Sequence, residues 1–170
     1  PRFRRTRRPR SVPPAPPNVR DVTAELLASR REVFETLRQT PRLFAILDAA
    51  RDRRILPLLN ASVEKHESLF EGPKARHLAA VAPHLVEFTA PSELLEVLIQ
   101  DGWGESWGVF LVGLRPFKEV RRRLRRFLMV TDQDSGKKLY FRYYDPRVLR
   151  TFWPTCSPRQ RSEMLGTEIE

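Results

Sequence analysis

Cysteine occurs once in these 170 residues, at Cys156, so no disulfide can form within the chain and nothing in the thiol content asks for an oxidising compartment. With no histidine near it in sequence, that thiol reads as a small apolar filler rather than a nucleophile. Histidine is almost as scarce. His66, His77 and His84 have ten and six residues between them and form no paired ligand motif, so no metal centre is expected. Nor does any apolar run approach the roughly 20 residues of a membrane span, and the arginine-rich start lacks the apolar core of a signal peptide. A cytoplasmic protein without a membrane partner is the expectation.

Acidic residues are missing from the first 20 positions, which hold seven arginines. The net charge of +10 and pI near 10.7 suggest a nucleic-acid partner until this charge is located. Removing those seven charges leaves +3 for the other 150 residues, a mildly basic body. Residues 1–18, PRFRRTRRPRSVPPAPPN, contain six prolines and almost nothing to bury, and are expected to be a disordered Arg/Pro-rich tail. The 41% apolar composition of the whole chain suits one core, giving an N-terminal helix over 19–40 and a single α/β domain over 41–170.

Glycine is sparse overall, yet four of seven fall between Gly102 and Gly113, in GWGESWGVFLVG, together with two of the three tryptophans. Glycines there permit positive φ or close backbone approach, and Val109–Val112 has the length of a buried strand. The expectation is a loop feeding a central strand. Within it Gly104-Glu105-Ser106-Trp107-Gly108 spells G-x-S-x-G, the nucleophile elbow of serine hydrolases. That elbow needs a strand before the serine and a helix after it, with acid and histidine later in the chain. Here a helical pattern precedes, a strand pattern follows, and every histidine lies upstream, so a structural turn is the better reading and no catalytic residue is assigned.

Along the chain, Val22, Leu26, Leu27, Val33, Phe34 and Leu37 predict an amphipathic helix ending before Pro41. Leu43–Leu47 predicts a strand that hands over to a helix with Asp48 at its cap, which Pro57 should split into short turns. Glu67–Phe70 and Pro83–Thr89 read as strands, and Pro91–Asp101 as a helix. Pro116 opens a helix whose apolar face, Phe117, Val120, Leu124, Phe127 and Leu128, is backed by Arg121, Arg122, Arg123, Arg125 and Arg126. So many like charges repel, and an acidic neighbour or partner would relieve them. Leu128–Thr131 and Lys138–Tyr143 flank a hairpin turn at 132–136; its D-x-D-x-G lacks the glycine and glutamate of a calcium loop, with Lys137 and Tyr143 in their places. Asp145 should cap, and Pro146 open, a helix to Trp153, and a last helix spans Ser157–Leu165. The fold expected is α/β: a mixed sheet of about five to seven strands, including parallel pairs where helices intervene, with helices packed against it.

The ordered set LFAILDAARD, SLFEGP, APHLVEF, GWGESWGVFL, the arginine-studded helix leading to RFLMVTD, and LYFRYYDPRVLRTFWPTC closely resembles domain of unknown function 4123, from about Leu37 to Gly166. The resemblance implies a bacterial cytoplasmic effector-adaptor chaperone of type VI secretion, non-enzymatic and without cofactor. Its implied partners are a secreted effector protein and a VgrG-type spike protein. The motif residues that carry over are Asp48, Glu71, Gly72, Gly102, Trp103, Gly104, Trp107, Gly108, Tyr144, Asp145, Pro146 and Arg147. Many members have a further lobe after this domain, and the Arg/Pro-rich tail is outside the shared pattern. Residues expected to meet a partner are Trp103, Trp107, Arg121, Arg122, Arg125, Tyr144, Asp145 and Arg147, where the tryptophan turn and the Tyr144–Arg147 corner converge. The alternative is nucleic-acid binding through the tail and the 121–126 helix face, which would weaken steeply with salt.

Overall fold

An uninterrupted apolar run such as Leu43-Phe44-Ala45-Ile46-Leu47 is stable only where both faces of its strand are covered. In the computed structural model it forms β1 (Leu43–Asp48), and all six residues are buried. The structure describes residues 19–73, 75–89, 92–131 and 136–165. The proposed tail 1–18 and the tip of the hairpin, 132–135, lie outside the described residues.

Around β1 the other strands are β2 (Lys65–Ser68), β3 (Pro83–Phe88) and β4 (Gly108–Val112), in the order β2-β3-β1-β4. Every neighbouring pair is antiparallel. A separate antiparallel pair joins β5 (Met129–Thr131) to β6 (Lys138–Tyr140). The count of six is close to the five to seven expected, but the strands are divided between a four-stranded sheet and a separate pair instead of forming one mixed sheet. The expected parallel pairs are absent among the described residues, and the register shows why. Helix α2 (Ile55–Ala61) carries the chain from β1 to β2, which runs the same way, but β3 lies between them. Helix α3 (Glu93–Gly102) likewise links β3 to β4 across β1. Two such split βαβ units make a ferredoxin-like sheet.

The alternation of β1 sorts the core into two layers. Ala45 and Leu47 meet Ile55 and Leu59 of α2, Leu94 and Leu98 of α3, and Trp107. Phe44 and Ile46 face the opposite way, toward Phe117, Val120 and Leu124 of α4 (Phe117–Arg125) and toward Tyr143, Tyr144 and Met164. Fully burying one Leu, Ile or Phe contributes about 1.5–3 kcal/mol, so a strand buried on both sides becomes the organising element. Helix α1 (Val19–Arg38) sets Val33, Phe34 and Leu37 against Leu95 and Ile99, and Arg30 donates to the Gln100 carbonyl at 2.8 Å. The chain continues through α5 (Pro146–Phe152), a 3-10 turn at Trp153–Thr155 and α6 (Pro158–Leu165).

Three local expectations are corrected. Asp48 is the last residue of β1 and caps no helix: α2 begins seven residues later, with Arg54 at its N-cap position. Pro57 does not split α2, because it falls in the first turn, where its missing N–H has no intrahelical acceptor to lose. And β4 lies at the edge of the sheet, the central place being taken by β1. Cys156 is buried, its Sγ 3.6 Å from the Phe152 carbonyl oxygen, as a filler would be.

Candidate partner-binding surface

The tryptophan turn is built on close approach. A Cβ on Gly102 would stand 2.6 Å from a ring carbon of Trp107, so glycine at the end of α3 lets the indole lie flat against the helix. A Cβ on Gly108 would stand 2.0 Å from the Ile46 carbonyl oxygen, which excludes any side chain where β4 meets β1. Between them Gly104 and Ser106 take positive φ, 91° and 59°, to turn the chain. Trp107 is only 4% exposed, with the Arg54 guanidinium 4.8 Å above its ring. Trp103 is half-buried against Phe110, their ring centroids 6.5 Å apart. Ser106 follows a helix and precedes a strand, the reverse of a nucleophile elbow. The imidazole of His84 stands on β3, its Nε2 2.9 Å from the Ala79 carbonyl oxygen.

A second corner forms around residues 140–147. Asp145 caps α5: one carboxylate oxygen accepts from the Arg147 backbone N–H at 3.0 Å, and the Arg147 side chain forks onto the same carboxylate at 3.0 and 2.6 Å. The guanidinium of Arg147 holds the Asp145 carboxyl below the usual carboxylate range. The hydroxyls of Tyr144 and Tyr140 share a hydrogen bond of 2.9 Å, and Tyr143 donates to the Leu124 carbonyl at 2.9 Å. Burial pushes the phenols of Tyr143 and Tyr144 upward, so both stay protonated.

The two corners meet at Asp48 rather than through their aromatic rings. The Asp48 backbone N–H donates to the Trp107 carbonyl at 2.8 Å, while its carboxylate, 1% exposed, takes the Arg142 guanidinium and the Ala50 N–H. Trp107 belongs to the layer under α2 and α3, whereas Tyr143 and Tyr144 belong to the opposite one. Sequence reasoning missed Arg142. Its only signal is the rule that a carboxylate buried at a strand end needs a cation.

The arginines of α4 are divided by the helix. Arg121 reaches the Ser68 carbonyl through Nε and Nη2 at 2.9 and 2.6 Å and pairs with Glu67 and Glu71 at 3.2 and 3.1 Å. Arg125 donates to the Leu69 carbonyl at 2.8 Å and pairs with Glu71 at 2.5 Å. The acidic neighbour that the charge density called for is therefore Glu71, in the turn after β2. Arg123 donates to the Glu163 carbonyl at 3.2 Å, and Arg122 and Arg126 are exposed.

Beside these polar networks lies an apolar groove of about 870 Å³. Val109 and Leu111 of β4 form its floor, and Leu149, Trp153, Met164 and Leu165 its wall. No sequence motif marked it, because its lining comes from segments some fifty residues apart that read individually as core.

What fold and surface together define is a small α/β domain whose polar motif residues are engaged by its own frame and whose open concavity is apolar. Within that class the chain belongs to the family described as domain of unknown function (DUF4123), matched over residues 43–163. Comparison with curated proteins and with solved structures returned no match.

Proposed function

We propose that this chain is an adaptor chaperone of bacterial type VI secretion, which holds a toxic effector in the cytoplasm and helps load it onto a VgrG-type spike. The role is what the family resemblance implies. The observation in this molecule that supports it is the apolar groove between β4 and α5–α6, a surface suited to a polypeptide and poor in groups for chemistry. Three polar groups near the two corners already have partners in the frame: Asp48 pairs with Arg142, Asp145 with Arg147 and the α5 cap, and the Nε2 of His84 with the Ala79 carbonyl. On this reading the protein makes and breaks no covalent bond.

The test is a tagged full-length chain expressed in its native host, purified with its bound proteins and compared with an untagged control. A toxin and a spike component should be recovered together and repeatedly. Recovery of neither removes the proposal. A toxin gene and a spike gene flanking this one provide an independent check.

A further inference from the structure

The two edges of the sheet differ in kind. Strand β2 carries Lys65 and Glu67, and charged side chains of this sort protect an edge from pairing with foreign strands. Strand β4, Gly-Val-Phe-Leu-Val, has no such protection: Val112 at its end is 37% exposed and Leu114 just beyond it 72%. Its hydrogen-bond phase is set by the two ends of its ladder: Asp48 N–H to the Trp107 carbonyl, and Gly113 N–H to the Arg42 carbonyl at 3.2 Å. In an antiparallel ladder the bonded pairs alternate, so Trp107, Val109, Leu111 and Gly113 turn their backbone groups toward β1. Gly108, Phe110 and Val112 turn theirs away from β1, to the side where no strand pairs with β4 among the described residues.

The groove lies on the face of β4 that Val109 and Leu111 occupy. Two arginines border it, and neither Arg150 nor Arg161 pairs with a carboxylate among the described residues. The guanidinium of Arg161 lies 5.4 Å over the Trp153 ring, and its Nε is buried without a hydrogen-bond partner among the described residues. A buried unpaired donor on a charged group is costly, and an incoming acceptor would satisfy it.

We propose that β4 accepts an extended polypeptide segment of the partner protein as a fifth strand. Alternate apolar side chains of that segment enter the groove, and a carboxylate on it meets Arg161 and Arg150. This deepens the adaptor reading and rests on it for the identity of the partner. A five-residue edge matches a segment of about five or six residues, with main-chain bonds supplying affinity and the groove supplying selection. A second copy of the chain answers the arginines less well, since it brings the same two cations and a like net charge of +10 to the seam.

The probe is a fluorescein-labelled heptapeptide of alternating valine and threonine with one central glutamate, titrated into the full chain and followed by anisotropy. Val112→Pro deletes an outward N–H without touching the ladder to β1, a place where edge strands tolerate proline. Arg161→Gln removes the charge at similar size. Circular dichroism melting verifies that both variants are folded. Saturable binding is expected, weakened about tenfold by Val112→Pro or by N-methylating alternate peptide residues. Arg161→Gln should abolish the preference for the glutamate peptide over its glutamine analogue.

No binding up to millimolar peptide, or equal binding by the N-methylated peptide, overturns the proposal. So does a dimer in sedimentation that Val112→Pro converts to monomer, which would give the edge to a second copy. Peptide binding as described with no effector or spike component recovered from the host upholds the edge and removes the adaptor reading. Effector capture unchanged by Val112→Pro and Arg161→Gln removes the edge and upholds the adaptor.

Discussion

Ser106 holds a φ of 59°, a left-handed conformation that costs a non-glycine residue about 1–2 kcal/mol. In a turn that serves architecture alone, Ser106→Gly should raise stability by about 0.5–1 kcal/mol, seen as a higher urea midpoint with an unchanged slope. A lower midpoint would mean that the hydroxyl holds something in place. Gly108 gives the opposite case two residues on. Its Cβ would fall on the Ile46 carbonyl, so Gly108→Ala must push β4 off β1 and should cost about 3 kcal/mol. The glycines of the corner were legible as sites of positive φ or close approach, and the structure assigns the first to Gly104 and the second to Gly102 and Gly108. Asp48 was legible as a polar residue at a strand end and no further. Its partner Arg142 is 94 positions away, a distance that no local pattern spans.

On the scale of the element, helix α4 shows how charge can be read correctly and its use remain hidden. The amphipathic pattern predicted the helix and its buried face, and the density of arginine called for an acidic neighbour or partner. That Arg121 and Arg125 close off the carbonyl ends of β2 depends on where β2 terminates, which tertiary packing decides. Arg121→Gln should therefore destabilise the fold by about 1.5–3 kcal/mol, as loss of hydrogen bonds from a charged group does. Exposed Arg122→Gln should stay within about 0.5 kcal/mol. Because both guanidinia share Glu71, the Arg121/Arg125 double variant should fall short of the sum of the singles. Equal effects from Arg121 and Arg122 in urea unfolding would contradict this division. Helix α5 lies at the other extreme: Asp145 as cap and Pro146 as first residue are local rules, and the structure obeys them.

For the molecule as a whole, composition and pattern led to the α/β class, while the pairing order depended on contacts between distant segments. A helix between two strands implies that they run the same way; it says nothing about a third strand slipping between them, as β3 and β1 do. The same packing buries His84, and that burial links the stability of the entire fold to pH. A carbonyl can only accept, so His84 Nε2 carries the proton it shares with Ala79, and a charge would require a second proton on Nδ1. Burial pushes its pKa below the ordinary 6.5, with the Ala79 hydrogen bond opposing and the neighbouring His66, 6.2 Å away, adding to the depression. Burial lowers His66 as well. Above pH 6.5 both chains, folded and unfolded, are neutral here and the contribution is complete. As pH falls below 6.5 the unfolded chain binds protons that the folded chain refuses, so stability must decline, by at most about 1.4 kcal/mol per pH unit for each imidazole. Asp145, whose carboxyl is lowered by Arg147, adds its own loss only below its ordinary 3.8, which leaves the window from 6.5 down to about 5 to the histidines. His84→Gln, able to keep the donor to Ala79 without the titrating ring, should make unfolding free energy fall less steeply with pH across that window, with His66 supplying the remaining slope. An equally steep decline in the variant would assign the acid sensitivity to other groups.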